Sequence, residues 1–254
     1  MNQIQRELRL FADGREIGQG CHMLLQSRET LSLTLSLFLL DILDLSDSSE
    51  AQLSSAKSVE LRSCGSVLGS GEILDVHSFG EKSQRFTTVV FSPLSGVWKK
   101  SVSLSLPAGM LISDAMREVL KAGGTEVSLA AFQAEDSRVS RPQSFFGRVC
   151  DVLSDLAAAA DAYVFLTPAG ICVQDRRPVP PTLTIPRSAL LSSPDWMKGG
   201  AVLNTSVMGW PMGAWVQYEW QGPVRPGRLV SKMIAADNVT GPWKAELELE
   251  WPEA

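Results

Sequence analysis

The sequence predicts an α+β protein that is mainly β, with two small β-rich regions at residues 1–100 and 179–254 and an α/β region at 101–178 between them. Three observations predict this. Short runs of alternating apolar and polar residues recur before residue 100, with no long helical stripe among them. A 3.6-residue apolar period appears only in the middle. After residue 180 the alternating runs return, divided by turns rich in Gly and Pro. Strands of this length and spacing suit a small barrel or sandwich at the N-terminus and a second small β-barrel at the C-terminus.

Each element follows from local pattern. Strands are expected at 21–26, 30–40, 58–62, 66–77 and 84–91, separated by Ser-, Gly- and Asp-rich turns. The run LSLTLSLFLLDILDL at 31–45 is the most apolar. It meets Asp41 too early to cross a membrane, which takes about 20 apolar residues. Its alternation reads instead as a half-buried strand. One helical turn is expected at 53–57.

Residues 101–106, SVSLSL, alternate again. Ser113 is the expected cap of a helix running to Lys121, and Gly123–Gly124 its stop. A second helix is expected over 143–161, on a stripe of Phe145, Phe146, Val149, Val152, Leu153, Leu156 and Ala160. A hairpin follows at 163–166 and 171–174. Beyond an extended Pro-rich connection at 176–181, strands are expected at 182–185, 201–208, 214–220, 228–237 and 243–251.

Composition narrows the function. The chain has 254 residues, long enough for a sizeable core. With 23 basic and 28 acidic residues its net charge is -5, against the basic surplus of a nucleic-acid binder. The charged fraction is only 20%, so the chain is not of the disordered class. Mean hydropathy is +0.05, apolar enough to suggest that some surface is covered by partners. Cys21, Cys64, Cys150 and Cys172 form no C-x-x-C pair and read as reduced thiols. Residues 1–10 have no apolar stretch of the signal-peptide kind, so no secretory leader is expected.

Catalytic patterns are scarce, and no enzyme activity, cofactor or metal is expected. His22 and His77 belong to no metal-binding spacing. No Ser occupies a nucleophile elbow. GSVLGSG at 65–71 lacks the Lys-Ser/Thr of a phosphate loop. Asp41, Asp44 and Asp47 fit a strand end and turn, and Glu135 and Asp136 a solvated loop.

One skew is informative. Six of the seven Trp follow residue 195. Trp210, Trp215, Trp220, Trp243 and Trp251 are the candidate interface or packing residues, because Trp buries a large area and keeps one N–H donor. The alternative is a carbohydrate-binding β protein whose C-terminal Trp residues stack on sugars.

The order of these segments resembles a known family. The pattern runs from a long alternating strand through LDLSDSS (43–49), SVELRS (58–63) and VLGSGEI (67–73). SVSLSLPAGMLISDAMREVLKAGG (101–124) and RVCDVLSDLAAAADAYVFLTPAGICVQD (148–175) come next. GAVLNTSVMGWPMGAWVQYEW and RLVSKMIAADNVTGPWKAELELE close it, with Asp237, Asn238, Gly241 and Trp243 at the last turn. Over nearly its whole length the chain is similar to the baseplate hub proteins of contractile-tailed phages, including Mu-like phages. The resemblance implies a homotrimer with two tail-tube-like β-barrels per subunit. Three subunits would then offer six barrels to a hexameric tail tube and threefold symmetry to a central spike. The implied partners are the tail tube protein, the spike and other baseplate proteins; charge and the short apolar run separately lead to an expectation of no nucleic-acid binding and no membrane insertion. The implied location is the tail baseplate of a virion assembled in the host bacterial cytoplasm. No lytic segment accompanies the resemblance, so muramidase activity is not implied.

Overall fold

Alternating side chains, one to a core and the next to the surface, build most of this molecule. Its computed structural model describes residues 6–81, 84–93, 95–167, 169–221 and 226–252. The N-terminal part forms β1 (Arg9–Ala12), β2 (Arg15–Ile17), β3 (Met23–Thr30), β4 (Leu37–Leu43), α1 (Asp47–Ser55), β5 (Ser58–Ser63), β6 (Ser66–Glu81) and β7 (Gln84–Ser92). The middle forms α2 (Ser95–Trp98), β8 (Ser101–Leu106), α3 (Ile112–Ala122), β9 (Leu129–Gln133), β10 (Gln143–Arg148), α4 (Val149–Ala159), β11 (Ala162–Thr167) and β12 (Gly170–Asp175). The C-terminal part forms β13 (Leu183–Ile185), β14 (Asp195–Met197), β15 (Gly200–Thr205), β16 (Trp215–Tyr218), β17 (Gly227–Asp237) and β18 (Trp243–Glu250). Strand outweighs helix, as the alternation predicts.

The chain divides into two compact units. The first comprises Met1–Glu29, Ser36–Pro93 and Pro180–Ala254. Its strands form one sheet in the order β14-β15-β18-β17-β3-β4-β7-β6-β5-β1-β2, with β16 attached to β17 and β13 to β16. The neighbours β17 and β3 thus join the two β-rich ends of the sequence in one hydrogen-bonded ladder. Among the described residues the sheet does not close into a barrel. A two-residue period tells which way a side chain faces, not which strand lies alongside. The core is correspondingly shared. Leu25, Phe38, Leu40, Val89 and Phe91 pack in one cluster with Leu203, Val216, Leu229, Leu247 and Leu249. The Phe38 and Phe91 rings stack with centroids 5.0 Å apart.

Gly69 and Gly71 explain the glycine run at 65–71. Both lie inside β6. A Cβ at Gly69 would come within 2.3 Å of the Phe38 ring, and one at Gly71 within 2.2 Å of the Ser92 carbonyl oxygen. These glycines let a strand approach its neighbours closely.

The expected strand at 30–40 is shorter and later. β4 begins at Leu37, and residues 30–35 belong to the second unit, where Leu33 joins the core. Alternation still sorts Leu31 and Leu33 inward. The hydroxyls of Thr30, Ser32 and Thr34 bond one another, however, and the Thr34 N–H donates to Ser32 Oγ. Such local bonds compete with a sheet ladder.

The second unit comprises Thr30–Leu35 and Leu94–Val179. It packs α3 and α4 with a three-stranded sheet, β11-β12-β9, in which β12 and β9 are parallel. A separate ribbon pairs β10 with β8. The helix expected over 143–161 occupies only its second part. Residues 143–148 form β10, and α4 starts at Val149. Gly147 has φ +153°, a backbone that no helix contains, so the helical stripe cannot run through it. The cap of α3 also differs. Leu111 is the N-cap residue and offers no side-chain bond. Asp136 supplies it from the loop, accepting from the Ser113 N–H at 2.9 Å and from Ser113 Oγ at 2.6 Å. The exit follows the double glycine, with Gly124 at φ +60°.

Candidate functional site

The five candidate tryptophans do not assemble into one platform. Trp215 on β16 and Trp243 on β18 are both buried, and Trp243 belongs to the core cluster of the first unit. Trp215 also lies under the buried Arg228, whose guanidinium carbon is 4.9 Å from the ring centre. Trp210 and Trp220 are half-buried against that core. The Trp210 indole donates to the Val207 carbonyl at 2.8 Å, and Arg187 stacks over Trp220 at 3.8 Å. Trp251 meets Trp196 with ring centres 5.9 Å apart, and Trp196 also leans on Tyr218. Trp196, on strand β14, is the exposed member at 52%. The alternating pattern did not single it out, because β14 has three residues and none is buried.

A polar clasp holds the start of β3 to the turn between β17 and β18. His22 Nε2 lies 2.8 Å from Asp237 Oδ1. The same carboxylate accepts from the N–H groups of Val239 and Thr240 at 2.7 and 3.1 Å. Burial pushes the Asp237 carboxyl up. The Val239 and Thr240 donors, His22 and the Gly241 N–H outweigh that and hold it below its ordinary value. Asn238 bridges the Cys21 carbonyl at 3.0 Å and the Met23 N–H at 2.8 Å. A Cβ at Gly241 would come within 2.4 Å of Asp237 Oδ2, so the turn needs glycine there. The residues that carried the resemblance at 237–241 therefore work as a fastener. Its partner His22 could not be read from the sequence, because 215 residues separate it from Asp237.

Two buried cations were equally illegible, since Lys and Arg normally mark surface. Lys232 Nζ lies 2.7 Å from a Glu29 carboxylate oxygen and donates to the Trp210 carbonyl at 3.2 Å. Arg228 is 1% exposed.

The remaining polar candidates are spent on structure. Asp41 accepts from Thr88 Oγ1 at 2.6 Å. Asp44 sits at φ +53° and accepts from the Arg85 N–H. Asp47 pairs with Arg85, as does Glu50. Glu135 pairs with Arg177 at 3.7 Å. His77 lies 2.9 Å from Asp75 on the surface of β6. No group of three His, Cys, Asp or Glu able to hold a metal occurs among the described residues. No described helix is long and apolar enough to cross a membrane. A cavity of about 440 Å³ beside the start of β1 and the end of β2 is lined in part by Arg9 and Glu16. These two already bond each other at 2.8 and 2.5 Å.

No protein-family model and no curated protein matches the sequence. Solved structures do match, along almost the whole chain. A tail protein from Neisseria meningitidis superposes with TM-score 0.71 at 13% identity, covering 96% of this chain and 95% of its own. The 43 kDa tail protein of prophage MuSo2 from Shewanella oneidensis gives TM-score 0.72 at 10% identity, covering 97% of each chain. An E. coli component of the type VI secretion system, itself structurally similar to the T4 tail proteins gp27 and gp5, gives TM-score 0.63 at 10% identity. It covers 96% of this chain and 77% of its own. The class is therefore defined by fold, and the fold is that of phage tail proteins. At the level of phage tail proteins this fold agrees with the resemblance in the sequence.

Proposed function

We propose that this chain is a structural, non-enzymatic subunit of a tail baseplate hub, a homotrimeric adaptor joining a hexameric tail tube to a central spike. The observation that carries this reading is the match to phage tail proteins over 96–97% of the chain and 95–97% of theirs. Residues 1–100 and 179–254 would act as two tube-like β regions of one subunit, with 101–178 as the α/β domain between them. Three subunits then present six such regions to the tube, and a closed ring satisfies the contacts of each. The main path of the first unit's sheet ends at β2 and β14 and its branch at β13, and sheet edges of this kind favour continuation by a neighbour. The partners would be the tail tube protein, the spike and other baseplate proteins, in a virion assembled in the bacterial cytoplasm.

Imaging tails that carry this chain tests the proposal. Density for three copies at the junction of tube and spike supports it, and any other location ends it. The carbohydrate-binding reading would need a monomer whose glycan affinity vanishes on Trp substitution. The burial of Trp215 and Trp243 supports the packing role over that reading.

A further inference from the structure

The ribbon of β8 and β10 has one packed face and one bare face. Cross-strand neighbours share a face. Leu104 stands opposite Phe145, Val102 opposite Gly147 and Leu106 opposite Gln143, and Val102 and Leu106 are buried in the second unit's core. On the other face Ser103 stands opposite Phe146, Ser105 opposite Ser144 and Ser101 opposite Arg148. The Ser105 and Ser144 hydroxyls bond each other at 2.8 Å, which leaves a low serine floor around one ring. That ring, Phe146, is 91% exposed. No residue of β10 is buried, and a Cβ at Gly147 would meet nothing within 4 Å.

The outer edge of β10 is also open. Its sheet has two strands, and among the described residues no backbone bond reaches β10 from its other side. An unpaired edge is a template for another strand, and proteins usually blunt it with charge, proline or a bulge. Here Gln143 to Gly147 contain none of these.

Charge says what fits. Exposed Arg141 lies before one end of β10. Arg148 closes the other end, beside exposed Lys100, which precedes the paired Ser101. Arg148 is partly met by Asp151 at 2.8 Å and by the Trp98 ring. Arg141 and Lys100 form no ion pair among the described residues. Seven residues separate Arg141 from Arg148, a span of at most about 23 Å at ~3.3 Å per extended residue, with Arg141 and Pro142 lying before the strand. A second copy is a poor occupant, because antiparallel self-pairing would set Arg148 of one chain close to Arg141 of the other, cation against cation.

We propose that β10 takes up an extended acidic segment of a different polypeptide by strand addition. An apolar residue of that segment covers Phe146, and its carboxylates meet Arg141 at one end and Lys100 with Arg148 at the other. This goes beyond the adaptor reading and does not depend on it. Main-chain bonds would supply affinity, and the ring and end charges selectivity.

The test uses the full chain and a blocked peptide of about nine residues, with alternating Thr and Val between acidic ends. The expected result is peptide-dependent protection of the β10 amides from hydrogen exchange. Phe146→Ala should weaken binding about tenfold or more without changing the circular dichroism, since the ring is exposed. Arg141→Glu with Lys100→Glu should abolish the preference for acidic ends. Four results would overturn the proposal. They are no binding near ~1 mM peptide, equal binding of a peptide with lysines in place of the acids, equal binding after N-methylation of alternate amides, and self-association of the chain that Phe146→Ala dissolves.

Discussion

His22 Nε2 lies 2.8 Å from Asp237 Oδ1, although 215 residues separate them along the chain. The pair closes a loop that runs through both compact units and back, fastening strand β3 to the far end of β17. Around it Asp237 gathers two backbone donors and Asn238 spans two backbone groups of the β3 entry. Each such bond contributes about 0.5–1.5 kcal/mol net. The turn at 237–241 therefore contributes to folding well beyond its own few residues.

Replacing Asp237 should be destabilising and should change how stability depends on pH. Asp237→Ala removes the shared acceptor of the Val239 and Thr240 N–H groups; because both residues are exposed, a loss of about 1 kcal/mol, the net worth of an ordinary hydrogen bond, is expected at neutral pH. The folded-state carboxyl is held below its ordinary value of 3.8. The stability it contributes is therefore fully present above that value and is lost as pH falls through the lower folded-state value. Thermal midpoints measured from about pH 6 to about pH 2.5 should fall less steeply in Asp237→Asn than in the wild type. Parallel curves would remove Asp237 from the acid response.

The buried ion pair of Lys232 and Glu29 makes a second case. The Lys232 side chain is 6% exposed and that of Glu29 20%. Removing one partner leaves a charge in the interior, so Lys232→Met alone should lose about 3–5 kcal/mol. Glu29→Gln together with Lys232→Met should recover much of that loss, since neither charge then remains. Urea denaturation of the two single variants and the double variant measures the coupling. Simple additivity would show that the pair does not act as one.

Glycine substitutions should separate close packing from mere flexibility. Gly71→Ala places a Cβ against the Ser92 backbone, which cannot swing aside, and about 1–3 kcal/mol should be lost. Gly80→Ala, in the same strand, meets its nearest atom at 3.9 Å and should be neutral or slightly stabilising. Equal effects at the two positions, read from thermal midpoints, would contradict the packing of β6 against the end of β7.

Helix α3 depends on a residue outside it. Asp136→Ala should cost about 0.5–2 kcal/mol, the usual range for losing an N-terminal cap. Ser113→Ala removes the hydroxyl's bonds to Asp136 and from Arg117 but leaves the backbone N–H at 113 paired with Asp136, and should cost less. Chemical denaturation of both variants decides it, and the reverse order would restore Ser113 to the capping role that its position suggests.

Where the alternation is strict and one face is buried, strands were legible in the sequence. Those expected at 101–106, 228–237 and 243–251 coincide with β8, β17 and β18 to within a residue. What periodicity could not carry was pairing, and β17 beside β3 is the consequence. β10 was misread because Phe145, Phe146 and Val149 also satisfy a helical spacing, and only Gly147 marks the break. β14 was invisible because no residue in it is buried. At the candidate site the composition pointed to the tryptophans as a set. The contacts divide that set, since burial depends on which strands meet across the core.

That division gives the last prediction. Trp215→Ala empties a core position and should lose about 3–5 kcal/mol, as large aromatic truncations do. Trp196→Ala removes a half-exposed ring from an edge strand and should cost about 1 kcal/mol or less. If the tryptophans served as a sugar platform, Trp196 would be the residue to lose binding without loss of fold, because it alone of the Trp196–Trp251–Tyr218 group is strongly exposed. On the structural reading, titration of the wild type with bacterial cell-wall glycans should show no saturable binding for Trp196→Ala to abolish. In a reconstituted tail the same variant should instead weaken incorporation of the chain, since an exposed Trp on an open strand edge is suited to a protein contact. Saturable glycan binding that disappears with Trp196→Ala, alongside undiminished incorporation, would reverse that assignment.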